Sequence, residues 1–356
     1  MSLIDYILQF TPYSKLSGNL HPIASVIVTL LIAIVSYIMV NSFMSKILGR
    51  NQFNPQGKHV YITGGSRGLG KAIGKMLAAK GAHITICALN EKALDIALEE
   101  IKGAARHRND YSQLIFNSVS ADLTKNEESI RALDEASAKH NGRVPDIIFC
   151  NAGSCIPKVF IEQPIEDFEY MMQLNYFGAL YTAHKAAKLM AQQGVKGKII
   201  FVSSLAALVG IMGYSAYTPS KLALRGLTEC LRQELILYDI GVHCFFPGNM
   251  DTDGLSEENK TKPQLTKKIE GDDKQTPEQA AKSLYKGLCK GNVFITSDLL
   301  GDAIRASTLG FVEANNGILD SFLCLMIWIV SKPARLIADK FVRDGKSEYS
   351  VIPADN

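Results

Sequence analysis

The chain has few of the features that would assign it to a class at a glance. Its seven cysteines (87, 150, 155, 230, 244, 289 and 324) contain no Cys-x-x-Cys pair. That excludes a zinc ribbon and argues against a disulfide framework; buried free thiols in a reducing compartment are expected instead. There is no His-Glu-x-x-His or comparable ligand spacing, so no metal is expected. Net charge is only +3, and no basic run is interleaved with aromatics. A nucleic-acid partner is therefore set aside. Long apolar runs are scarce, and only two stand out.

The first run, Ile23 to Val40, is eighteen residues without a charge, entered through Pro22. This is close to the minimum for a membrane-spanning helix. A signal peptide fits less well, because 22 residues precede the run and no Ala-x-Ala follows; a buried core helix is the other alternative. Lys46 and Arg50 follow the run, and Lys15 alone precedes it. The positive-inside tendency then puts the downstream domain in the cytosol. The second run, Ile318 to Val330, is thirteen residues with Asp320 inside and Lys332-Pro333 after it. It is short for a span and reads as an interfacial or re-entrant segment, or as an apolar lid on the fold. The expected organisation is a lead segment (1–22), an anchor (23–40), a catalytic domain (56–300), an apolar membrane-associated segment (301–340) and a tail (341–356).

Between the apolar runs, strand and helix patterns alternate. Strands are expected at 58–63, 83–88, 114–120, 146–150, 198–203, 242–246 and 293–296, with helices at 69–80, 91–105, 127–140, 165–193, 217–238 and 277–290. Repeated βα units imply an α/β fold, a doubly wound parallel sheet covered on both faces. Ligands of such sheets bind beyond the carboxyl ends of the strands. Residues 257–274 carry many charges and read as a solvated loop.

The strand ends carry the polar chemistry. Thr63-Gly64-Gly65-Ser66-Arg67-Gly68-Leu69-Gly70 joins the first strand to its helix. Glycines there permit a tight turn and bring backbone N–H groups to a diphosphate at a helix N-terminus. The same stretch matches Gly-x-Ser-x-Gly, a hydrolase pattern, but no Asp and His follow in order at strand ends. Asp122 and Leu123 end the third strand, where a carboxylate can accept from an adenine amino group. Asn151-Ala-Gly153 ends the fourth. Taken singly, each of these is more often a turn. Ser204 follows the fifth strand. Tyr217 and Lys221 are four apart, on one face of a helix that Pro219 requires to begin near Tyr217. A neighbouring ammonium lowers a phenol's pKa from about 10 and lets it exchange protons near neutrality. Asn175 is a polar residue within a helix, either a satisfied core amide or a kink with a water relay toward Lys221.

Together these pieces resemble the short-chain dehydrogenase/reductase family, over about residues 56–297. The resemblance rests on Thr-Gly-x-x-x-Gly-x-Gly at 63–70, Asn-Ala-Gly at 151–153, Asn175, Ser204 thirteen residues before Tyr217, Lys221, and Pro247-Gly248. It implies a seven-stranded Rossmann-like sheet. The implied catalytic roles are Tyr217 as proton donor, Lys221 as pKa-lowering group and ribose binder, Ser204 as carbonyl holder and Asn175 as relay partner. It implies cofactor contacts from Gly64, Ser66, Arg67, Gly68, Leu69, Gly70, Leu89, Asp122, Leu123, Asn151, Tyr217 and Lys221. A narrower resemblance, to the 3-ketodihydrosphingosine reductases, rests on residues 202–217, 225–234, 251–254 and 294–298 with apolar runs at both ends. It implies NADPH-dependent reduction of a long-chain sphingoid ketone, 3-oxosphinganine, at the endoplasmic reticulum membrane with the active site toward the cytosol. In this family residues 257–274 often form a lid over the substrate. The second strand ends Cys87-Ala-Leu89-Asn90, with no carboxylate to hold a ribose 2′-hydroxyl, and Arg67 can meet a 2′-phosphate; many NADPH-using members have arginine where this chain has Leu89. A reductase for steroid, retinoid or 3-oxoacyl ketones, a non-catalytic cofactor-binding scaffold, and a homo-oligomer all remain compatible with the sequence.

Overall fold

The computed structural model describes residues 53–310 and 312–344, together with scattered helical positions between 26 and 39. Most of the anchor expected at 23–40, all of the lead segment and the tail from residue 345 lie outside the described residues.

Seven parallel strands form one sheet: β1 (His59–Thr63), β2 (His83–Ala88), β3 (Phe116–Ser120), β4 (Ile147–Cys150), β5 (Lys198–Val202), β6 (Gly241–Phe246) and β7 (Phe294–Thr296). Their order is β3-β2-β1-β4-β5-β6-β7. The central strands are apolar at nearly every position because both faces are covered. Val60 and Ile62 point to one face, where α1 (Gly68–Ala78), α2 (Glu91–Ala105) and α9 (Pro277–Cys289) pack. Tyr61 points to the other, against α3 (Asn126–Ala138), α5 (Gly178–Gln193) and α6 (Tyr217–Glu234). The chain runs outward from β1 to β3, then returns to place β4 on the other side of β1 (Val60 beside Ile84 and Ile147). That reversal opens a crevice at the carboxyl ends of β1 and β4, where such sheets hold their ligands.

The helix expected over 165–193 is present but interrupted. α4 (Ile165–Met172) passes into a π-helical turn, Gln173–Phe177, before α5 begins. Asn175 sits in that turn, where the backbone departs from α-helical pairing. α6 starts at Tyr217 with Pro219 inside its first turn, where a missing N–H costs nothing.

Three features differ from expectation. Residues 257–274 are not a solvated loop but mostly two helices, α7 (Asp253–Thr261) and α8 (Gln264–Glu270). Charged side chains hid the pattern, because the few buried apolar positions there, Leu255 and Leu265, are widely spaced. Cys230 and Cys324 are exposed, unlike the buried Cys87, Cys150 and Cys244; all seven are free thiols. The second apolar run belongs to one 28-residue helix, α11 (Gly317–Asp344), with Pro333 inside it. Among the described residues it is the one helix long and apolar enough to cross a membrane. The preceding α10 (Leu299–Ser307) holds its start: buried Arg305 meets buried Asp320 in a two-pronged pair, at 2.7 and 3.0 Å.

Candidate active site

A cleft of ≈1160 Å³ lies over the carboxyl ends of the strands, lined among others by Arg67, Asn151, Ser204, Tyr217 and Lys221. A smaller hollow of ≈390 Å³ is lined by Leu89 and Asp122, with Glu91, Glu128 and Arg131. Asn175 stands behind the cleft wall, fully buried, and Leu123 is buried in the core.

The glycine turn is built by packing. A Cβ on Gly64 would lie 2.9 Å from Ala152 Cα, and one on Gly65 would lie 2.6 Å from the Ile86 side chain. One on Gly70 would strike the Gly64 carbonyl. Gly68, at φ +51°, has only Thr252 near it and is the glycine on the open side. Thr63 and Asn151 stitch the turn to β4. The Thr63 hydroxyl accepts from the N–H groups of Asn151 (2.9 Å) and Ala152 (3.1 Å), and Asn151 Nδ2 donates to the carbonyls of Thr63 (3.0 Å) and Gly64 (3.1 Å). Arg67 is the N-cap of α1 but makes no side-chain capping bond, and the first turn holds no acid. Free helix N–H groups suit an anionic diphosphate, and the exposed guanidinium beside them suits a further phosphate, so these residues fit a nicotinamide dinucleotide. Ser66 and Leu69 belong to the same turn.

Asp122 is less available than the sequence implies. Its Oδ1 accepts from the Thr124 N–H (3.1 Å) and hydroxyl (2.7 Å), and Lys125 lies 3.6 Å from Oδ2. The Thr124 hydroxyl bond chiefly holds its pKa below the usual carboxylate value. Leu89 is exposed, and the next residue, Asn90, spends its side chain capping α2 through the Ala93 N–H.

The catalytic candidates converge. Ser203 Oγ donates to the Lys221 carbonyl at 2.7 Å, a structural tie that leaves Ser204 as the serine with the free role. Ser204 Oγ accepts from the Ala206 N–H at 3.2 Å. Lys221 is buried, and its Nζ donates to the Val202 carbonyl at 3.0 Å and lies 5.9 Å from the centre of the Tyr217 ring. Burial pulls its pKa down to about 8. The lowering of the Tyr217 pKa expected from Lys221 is not what this geometry gives. Burial pushes it above 10, Cys155 and Glu258 add to the rise, and a hydrogen bond with Ser204 opposes it.

Asn175 is a satisfied amide and a positioning group at once. Its Oδ1 accepts from the Ser154 N–H (2.8 Å), while Nδ2 donates to the Ser154 carbonyl and to Ser220 Oγ, both at 2.9 Å. Sequence reasoning missed what Gly153 does. A Cβ there would lie 2.8 Å from Asn175 Oδ1 and 3.0 Å from Lys221 Nζ. The missing side chain of Gly153 leaves room for both polar groups beside it. Ser220, bonded to Asn175 and to the Tyr217 carbonyl (2.7 Å), was also missed, although its place between Tyr217 and Lys221 was a signal.

Residues 58–263 match the short chain dehydrogenase family, and the chain belongs to it. Among curated relatives, it is 40% identical over 301 residues to a 3-ketodihydrosphingosine reductase of Cryptococcus neoformans, covering 84% of this chain and 88% of that one. It is 35% identical over 277 residues to the 3-dehydrosphinganine reductase of Danio rerio, covering 78% and 81%. Among solved structures, a short-chain type dehydrogenase/reductase from Mycobacterium marinum superposes with a TM-score of 0.60 at 27% identity, covering 69% of this chain and 95% of that one.

Proposed function

We propose that this protein reduces 3-oxosphinganine to sphinganine with NADPH, at the endoplasmic reticulum membrane and with its catalytic domain in the cytosol. The observation that carries the reading is the convergence of Ser204, Tyr217 and Lys221 on one cleft, in a chain 40% identical to a protein named for this reaction.

A nicotinamide cofactor, when bound, supplies a hydride; the protein's own task is the proton and the charge. The Tyr217 hydroxyl donates its proton to the substrate's carbonyl oxygen, which becomes the alcohol, and Ser204 holds the same oxygen by a hydrogen bond. The resulting phenolate is costly where it is buried, and the Lys221 ammonium, 5.9 Å from the ring centre, offsets part of that cost. Asn175 Oδ1 has used one of its two acceptor positions, and the other serves the relay beside Lys221. Gly68 and the free N–H groups of α1 would hold the diphosphate region, and Arg67 beside them is left for a 2′-phosphate. Gly64, Gly70 and Asn151 keep the turn in shape, and Leu89 and Asp122 border the adenine side, while Leu123 stays buried in the core.

For NADPH over NADH, the support is Arg67, which is exposed on the cleft without an ion pair among the described residues, and the lack of a carboxylate at 87–90. A charge-assisted bond to a 2′-phosphate is worth about 1.5–3 kcal/mol, or roughly tenfold or more. The competing reading, NADH, has one observation in its favour: the Glu91 carboxylate lines the hollow beside Leu89. Arg67→Ala is expected to raise the Michaelis constant for NADPH at least about tenfold and to leave that for NADH little changed. An unchanged ratio would place the discriminating contact elsewhere.

The test of the function itself is substrate choice. Membranes carrying the protein are offered 3-oxosphinganine, a steroid ketone, retinal and a 3-oxoacyl thioester, each with NADPH. Sphinganine formation well above turnover of the others is expected. Preferred turnover of another ketone, or of none, would overturn the reading.

A further inference from the structure

Next to Tyr217, the cleft wall holds a group of charges that the proton chemistry does not use. Tyr214 is buried, with its ring centre 5.8 Å from that of Tyr217. Its phenol oxygen lies 2.5 Å from Glu258 Oε1, on α7, and 2.5 Å from Glu270 Oε1, on α8. Lys262, with its side chain only 2% exposed, places Nζ 2.8 Å from Glu258 and 2.6 Å from Glu270. Tyr214, Glu258 and Glu270 all line the same cleft as Tyr217 and Ser204.

The charges in this group do not balance. Two carboxylates face one ammonium, and the phenol has a single proton to give to one of them at a time. One negative charge is left over where solvent is scarce: the two glutamate side chains are 16% and 9% exposed. A buried excess charge is costly unless a partner arrives. The other cations of the cleft do not supply it. Lys221 is committed to the Val202 carbonyl, and among the described residues Arg67 and Lys274 are exposed and bond to neither glutamate.

The substrate, independently of this count, has what the group lacks. An amino ketone carries its amine on the carbon next to the carbonyl, so an oxygen held by Tyr217 and Ser204 brings a positive charge to this stretch of wall. We infer that Glu258 and Glu270 receive the ammonium of the substrate, with Tyr214 and Lys262 as positioning residues that hold the two carboxylates together. The inference rests on the proposed substrate and adds the means by which the enzyme tells an amino ketone from a plain one. A site built around a charged group rejects the analogue that lacks it, because its own buried charge is then left unpaired. The arrival of the ammonium also has a consequence for the acid. Glu258 and Glu270 are among the groups that oppose ionisation of Tyr217, so neutralising them favours proton release.

The test compares two ketones on the full-length protein in detergent micelles with NADPH: 3-oxosphinganine and 1-hydroxyoctadecan-3-one, which has the same chain without the amine. In the wild type, kcat/KM is expected to favour the amino ketone by about 10- to 100-fold, as one or two charge-assisted bonds allow. Glu258→Gln and Glu270→Gln are each expected to cut that ratio about tenfold, mainly through KM. A wild-type ratio near one, or a ratio unchanged in both variants, overturns the inference while leaving the function standing. A wild type that reduces other ketones but not 3-oxosphinganine overturns the function, and the inference with it. Should the variants fail to fold, inhibition of the wild type decides: octadecylamine is expected to bind at least about tenfold tighter than octadecanol, and equal inhibition contradicts the proposal.

Discussion

At the scale of single residues, the site shows side chains held at a cost to stability. Lys221 is buried with its pKa drawn down to about 8, so the folded state disfavours its charge. Between about pH 8 and 10.5 the unfolded chain binds the proton more readily, so this contribution to stability rises with pH across that window and is a penalty below it. Lys221→Met is therefore expected to abolish ketone reduction yet raise stability, on the order of 1–3 kcal/mol, with the Val202 carbonyl left unpaired as the offset. Activity and a thermal melt on the same preparation check this, and a less stable variant would contradict it. Gly153→Ala is the converse case. Its methyl would press on Asn175 Oδ1 and Lys221 Nζ, at 2.8 and 3.0 Å. The expected result is a fall in kcat of about 10- to 100-fold, since misplacing a catalytic group by an ångström costs that much. Near-wild-type kcat would show that the two groups have room to move.

At the scale of elements, legibility followed burial. The strands and the helices that cover the sheet were readable because their apolar positions recur at regular spacing, as at His83–Ala88 and Glu91–Ala105, whose limits the structure reproduces. The positions of Ser204, Tyr217 and Lys221 at strand ends and helix starts were readable for the same reason. Helices α7 and α8 were not, because a buried ion cluster ties them to a distant residue: Tyr214 is 44 residues from Glu258 and 56 from Glu270, and only Glu258 and Lys262 are close, at i,i+4. The role of Gly153 was hidden too, since the atoms it makes room for come from residues 175 and 221. Asp320 looked like an interruption of an apolar run, whereas its carboxylate is the socket for Arg305 and also accepts from the Asn315 N–H at 2.8 Å. Removing one side of such a pair strands a buried charge at a cost of about 3–5 kcal/mol. Arg305→Met is thus expected to loosen α11 from α10, seen as faster amide exchange in both helices, and Arg305→Met with Asp320→Leu to restore protection. If the single variant exchanges no faster, the pair does not hold α11.

At the scale of the whole molecule, the sheet's two ends do different work. The amino-terminal end buries histidines as neutral groups. His59 is driven down to about 3, chiefly by burial and then by His140, with which it stacks; burial also lowers His83 and His140, and His243 falls to about 4. Depressed histidines give stability that is full above about pH 6.5 and is lost as pH falls toward the folded values. His59 alone is expected to cost about 2 kcal/mol at pH 5. Melting temperatures at pH 7 and pH 5 should therefore differ by several degrees, and equal values would contradict the neutral cluster. The carboxyl-terminal end gathers the chemistry, with the apolar α11 joined to the cleft through α10, which suits a substrate that resides in a bilayer. Whether Tyr217 donates the proton to 3-oxosphinganine is decided by following sphinganine formation with NADPH in membranes bearing wild type or Tyr217→Phe at equal protein levels. A rate about 10²–10⁴-fold lower is expected for the variant; sphinganine forming at similar rates in both would exclude Tyr217 as the proton donor.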